Sequence, residues 1–155
     1  MRFLGATYQL HLIINDKGEL MTFRLTSGNV DDRAVVRRMT VGLEGWLFGD
    51  KGYISTKLTK DLENRGLELI TRVKKNMKKR IISPVKNLWL KKRSIVESAI
   101  DQMKAILHIQ HTRHRSSDNF LVNLLAGILS YILKPKKPTV SFAKAISGMA
   151  LLMSN

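Results

Sequence analysis

Between Gly45 and Tyr53 the chain reads GWLFGDKGY, and few stretches restrict a fold as tightly. The apolar run Trp46-Leu47-Phe48 is too short for a helix and is bracketed by glycines, so it reads as a buried strand that stops at Gly49. It delivers one carboxylate, Asp50, into the turn Lys51-Gly52-Tyr53. Ligands of α/β folds collect at the carboxyl ends of sheet strands, which makes Asp50 a candidate site residue. Capping the turn or the next helix is the commoner job for an Asp in such a place, and only a second acid in the right position shifts that balance.

Around this strand the pattern is mixed. Tyr8, Leu10, Leu12 and Ile14 alternate with polar residues, Asn15-Asp16-Lys17-Gly18 supplies a turn, and Met21, Phe23 and Leu25 alternate again, so an antiparallel hairpin is expected. His11 falls on its polar side and reads as a solvated strand residue, since no partner lies at ligand spacing. A helix capped by Asn29 or Asp31 follows, with Val35, Val36 and Met39 inward and an end near Gly42. After Asp50, Ser55 or Thr56 caps a helix carrying Leu58 and Leu62, Asn64-Arg65-Gly66 stops it, and Leu67 to Val73 is a strand. Strand and helix in alternation argue for an α/β sheet with a parallel portion. Ser83-Pro84 leads to a long helix, about Asn87 to Ile109, and Ser116, Ser117 or Asp118 caps a last one, Phe120 to Leu133, apolar nearly all round and expected to be buried. Pro135 and Pro138 end it, so one domain is expected over residues 1–138, with 139–155 a weakly patterned tail of no assigned role.

Charge says what such a domain meets. Among 155 residues Lys and Arg outnumber Asp and Glu by 27 to 12, a net charge of +15, far beyond what solubility requires. A polyanion is implied, and DNA or RNA ranks above a membrane because the cations are spread from Arg33 to Lys137 rather than gathered on one amphipathic helix. Lys74, Lys75, Lys78, Lys79 and Arg80 form one cluster, Arg113 and Arg115 another. The absence of cysteine excludes disulfides and zinc-thiolate sites, so any metal is held by oxygen or imidazole. No signal peptide opens the chain and no apolar stretch reaches the ~20 residues of a membrane span, so a cytoplasmic protein is expected.

The second acid lies on the long helix. Arg93, Glu97 and Lys104 are four and then seven residues apart, within about 40° of one another on one helical face, and Asp101 joins that stripe. Val96, Ile100, Met103 and Leu107 form the apolar stripe beside it, which docks the helix. Read alone, this helix is as well explained by exposed i, i+4 pairs worth ~0.3 to 0.5 kcal/mol each.

GDKGY together with the Arg93, Glu97, Lys104 spacing resembles the DDE transposases of bacterial insertion sequences, with Leu90 where that signature has tyrosine. INDKGEL, LTSGNVDDR, LFGDKGYIS, KKNMK, RHRSSDNFLVNLLAG and the closing KPKKP, in that order from Tyr8 to about Pro138, resemble the insertion sequence 982 family. The resemblance implies a ribonuclease-H-like mixed sheet with flanking helices, in which two aspartates and a glutamate hold two Mg²⁺ ions for DNA strand cleavage and transfer. Asp50 matches the second aspartate and Glu97 the glutamate, as catalytic and metal-binding residues. Hard cations suit carboxylate oxygen, one metal activating the attacking hydroxyl and the other stabilising the leaving oxygen. Arg93 and Lys104 would hold phosphates near the scissile bond.

The family's first aspartate ends a strand that precedes the Tyr8 strand by a long insert, and nothing upstream of residue 8 supplies it; Asp16, Asp31 and Asp32 are not obvious substitutes. The expectation is therefore a carboxyl-terminal transposase remnant begun at an internal methionine, lacking its first strand and inactive alone. It would bind transposon-end and target DNA, and associate with itself or with a full-length transposase. The alternative is a non-enzymatic basic module that binds DNA through charge alone or regulates the full-length enzyme. The missing strand belongs in the middle of the sheet, beside both the Tyr8 strand and the one ending at Asp50. Its loss either leaves backbone groups unpaired, at ~1 to 3 kcal/mol for each buried bond, or forces a rearrangement that the sequence does not specify.

Overall fold

The computed structural model describes residues 2–3, 6–72, 82–92, 94–107, 116–139 and 149–154. Its hairpin is β2 (Ala6–Asn15) and β3 (Leu20–Ser27), paired antiparallel from Tyr8↔Ser27 to Ile14↔Leu20, and β1 (Arg2–Phe3) pairs with the first residues of β2. Asn15 sets the turn, its Oδ1 accepting from the backbone N–H of Lys17 and Glu19 at 3.0 and 2.9 Å. Gly18 is left-handed, at φ 74°, and any Cβ there would run into the Pro138 carbonyl, so glycine is required twice over. Tyr131 donates its hydroxyl to the Gly18 carbonyl at 2.6 Å, tying the turn to the last helix.

Next come α1 (Asp32–Met39), β4 (Gly45–Gly49), α2 (Thr56–Glu63) and β5 (Leu67–Thr71), with β4 and β5 parallel from Gly45↔Leu67 to Gly49↔Thr71. Asp31 caps α1 by accepting from Arg33 N, and Ser55 caps α2 by accepting from Leu58 N. Val35, Val36, Met39, Leu58 and Leu62 are all buried, as the spacing predicts.

The middle of the sheet is not open. Strand β6 (Met149–Ser154), from the segment to which sequence assigned no role, runs antiparallel to β2 (His11↔Ser154 to Asn15↔Ala150) and parallel to β4 (Trp46↔Met149 to Phe48↔Leu151). The main path is β1-β2-β6-β4-β5, with β3 on β2. Both backbone edges that β2 and β4 would otherwise leave unmet are thus paired.

Both faces of this mixed sheet are covered. One core gathers Ile13, Leu47, Leu67 and Leu69 under α1 and α2. The other gathers Leu10, Leu12, Ile14, Phe48 and Ile70 under α3 (Pro84–Lys92), α4 (Ser94–Leu107) and α5 (Ser117–Leu133). Lys86 clamps α3 to the sheet, its Nζ 2.7 and 2.6 Å from the two Glu68 carboxylate oxygens and 5.1 Å over the Trp46 ring.

Three expectations need correction. His11 is fully buried, because the polar side of its strand faces α1 rather than water. The helix expected from about Asn87 starts earlier, at Pro84, where proline suits a first helical turn; of its further course residues 84–92 and 94–107 are described. The last helix is not buried all round: Phe120, Leu124, Ile128 and Tyr131 are inside, but Leu121, Val122, Leu125, Leu129, Ile132 and Leu133 are exposed.

Candidate functional site

Strand β4 fixes Asp50. Trp46 and Phe48 alternate onto the α3–α5 side and the backbone of Asp50 stays extended, at φ −80° and ψ 167°, so residue 50 continues that face at the sheet's carboxyl edge, where it is exposed. A 3-10 turn, Lys51–Tyr53, follows at once. The Asp50 side chain makes no capping hydrogen bond to it; the turn closes instead through Tyr53 N–H donating to the Asp50 carbonyl at 3.1 Å. The plainer role, a side-chain cap, is not the one observed.

Helix α4 lies on the same side of the sheet. Val96, Ala99, Ile100 and Met103 dock it in the core, which leaves Glu97 and Asp101 exposed and Lys104 half-buried. Asp50 ends a sheet strand, and Glu97 lies on a helix that covers that side of the sheet. Among the described residues no three His, Cys, Asp or Glu side chains gather as a metal site. Of the cations assigned to DNA, Lys104 is described; Arg93, Lys74, Lys75, Lys78, Lys79, Arg80, Arg113 and Arg115 lie outside the described residues.

The neighbours of Asp50 across the sheet follow from register. Phe48 and Ile14 both pair with Leu151, and Leu12 pairs with Met153, so β6 runs between the hairpin and the strand that leads into Asp50. β6 reads MALLMS and contains no carboxylate.

Sequence reasoning passed over a cationic groove at this edge. Asp31, Arg33, Ala34, Arg37, Ser55, Lys57 and Leu58 line an open cavity of about 320 Å³ between the starts of α1 and α2. Arg33 Nε donates to Asp31 at 2.9 Å, holding that carboxyl below its ordinary range, and Arg37 Nε is 2.9 Å from Asp61. The available signal was Arg33 and Arg37 four apart on a helix whose other face is apolar.

Near the start of α1 sits the buried His11. Its Nε2 is 2.9 Å from Thr26 Oγ1, its Nδ1 has no hydrogen-bond partner, and the Asp32 carboxylate is 4.0 Å away. Burial lowers its pKa, and the Asp32 charge opposes this only in part.

No described helix is long and apolar enough to cross a membrane. A family model described as a transposase DDE domain matches residues 2–117. No curated protein matches the chain, and no solved structure does.

Proposed function

The chain belongs to the transposase DDE domain family, and from that premise we propose that it is a DNA-binding, catalytically incomplete member of the insertion sequence 982 type, built on a ribonuclease-H-like sheet. The ordered motifs from INDKGEL to KPKKP support the type, and the net charge of +15 supports DNA as the partner. In this reading Asp50 and Glu97 are the surviving catalytic carboxylates. Arg93, Lys104, Lys74, Lys75, Lys78, Lys79, Arg80, Arg113 and Arg115 hold DNA phosphates.

The observation that carries the reading is the register of β6. A two-metal site takes Mg²⁺ through several carboxylates from separate elements, and the sequence of the strand paired with β4, MALLMS, contains none. Among the described residues no three such side chains gather, and this reading assigns no cleavage step to them. DNA binding needs only the cations.

The test is a labelled duplex titrated at two salt concentrations, with and without Mg²⁺ or Mn²⁺. Expected are affinity that falls at least tenfold from low to physiological salt, no dependence on metal, and no nicked product. Metal-dependent nicking that disappears in Asp50→Asn would overturn the incomplete site, and salt-independent affinity would overturn the electrostatic account.

A further inference from the structure

Helix α5 has an inward face of Phe120, Leu124, Gly127, Ile128 and Tyr131. Its outward face is also apolar: Val122, Leu125, Leu129 and Ile132 are 66%, 52%, 55% and 44% exposed. Their spacing is three, four and three residues, the a and d positions of a heptad, and Leu121 and Leu133 flank the seam. That spacing describes a surface shaped for another helix. Contiguous apolar surface of this kind, on a protein otherwise covered in charge, marks an interaction site.

Charge selects the occupant. Every other described helix carries Lys or Arg on its surface, whereas from Asn119 to Leu133 there is no charged residue at all. Two copies at +15 repel each other wherever their basic faces meet, and α5 is where they can approach without opposing like charges. Its two ends are complementary: Asp118 is exposed in the first turn, and Lys136 is exposed just beyond the last. Antiparallel packing sets the Asp118 end of one helix by the Lys136 end of the other and aligns the two helix dipoles head to tail. Parallel packing would stack like charge on like.

We propose that the outward face of α5 is a homodimer interface, in which the Val122, Leu125, Leu129 and Ile132 seam packs antiparallel against the same seam of a second copy about a two-fold axis. The interface is independent of Asp50, Glu97 and any metal, and it leaves the cationic faces free for DNA. One helix per copy is a small contact, so a micromolar dimer is expected, on the order of 1 to 100 μM.

Sedimentation velocity on the full chain without DNA, at physiological ionic strength and over a concentration series, tests this. The expected result is a reversible monomer–dimer equilibrium that Leu125→Glu or Leu129→Glu shifts to monomer at least tenfold, with the thermal transition unchanged because both positions are exposed. Asp118→Lys and Lys136→Glu should each weaken the dimer at least threefold, and the double variant should regain most of the loss. A monomer at every concentration, or a dimer indifferent to both glutamate variants, overturns the interface. Single charge reversals without effect overturn the antiparallel arrangement, and α5-dependent binding of a monomer to anionic vesicles would assign the face to a membrane surface instead.

Discussion

On one side of the sheet α1 and α2 close a core around Val36, Leu47 and Leu62 and then present Arg37, Arg38, Lys57 and Lys60 to water. On the other, α3 and α4 close a core around Leu12, Phe48 and Val96, but the layer continues into α5, whose outer surface is leucine, isoleucine and valine. A helix with one apolar stripe finishes a layer, because its opposite face is already suited to solvent. A helix with two apolar stripes finishes nothing. The difference between the faces is therefore a difference in what each still needs.

The largest effect should come from the element that both faces share. Leu151 pairs with Ile14 on one side and Phe48 on the other. Leu151→Pro removes a ladder donor in the middle of the sheet and should cost roughly 3 kcal/mol or more, a large part of the ~5 to 15 kcal/mol typical of a domain. Urea unfolding should then lose its cooperative transition, and retention of a wild-type midpoint would show that β6 does not close the sheet.

Cavity substitutions on the two faces come next. Leu62, fully buried on the inner face of α2, and Leu124, 2% exposed on the inner face of α5, should each cost about 2 to 5 kcal/mol on replacement by alanine. Equal midpoint shifts would show that the faces are equally well packed; a much smaller loss for Leu124→Ala would mean that α5 waits for its partner to be held firmly.

Around His11 the α1 side should respond to acid. His11 has a pKa below its ordinary 6.5, so the unfolded chain binds a proton at a pH where the folded chain does not. Its contribution is full above about 6.5 and declines as the pH falls from there toward the lower folded value. His11→Gln should flatten that slope in thermal melts between pH 7 and 5, while an unchanged slope would place the acid sensitivity elsewhere.

The smallest effect belongs to the residue next to Leu124. Leu125 is 52% exposed, and Leu125→Ala should change the stability of the monomer by no more than about 0.5 kcal/mol. A larger loss at dilute concentration would mean that this face is already covered.

The hairpin, both amphipathic helices and the Asp50 strand were legible because each is specified locally, by alternation, caps and turn residues close in sequence. His11 was misread because alternation separates two faces without saying whether either meets water, and here helices cover both. The apolar composition of α5 was read correctly but its burial was not, since composition does not say which copy of the chain does the burying. β6 was illegible for a different reason: MALLMS has no alternation to mark it, and its place depends on a gap that only the assembled sheet defines.

That central strand also sets an order of events in time. Its partners β2 and β4 leave the ribosome roughly a hundred residues before β6 does, and at ~5 to 20 residues per second this is an interval of about 5 to 20 s. Throughout it the hairpin and the β4–β5 pair can form, but each presents an unpaired edge to whatever is near. Contacts so distant in sequence also make for slow closure even once the whole chain is present. Yield in the cell should thus follow the translation rate and the supply of chaperones that shield open edges, more than it follows the stability of the finished fold.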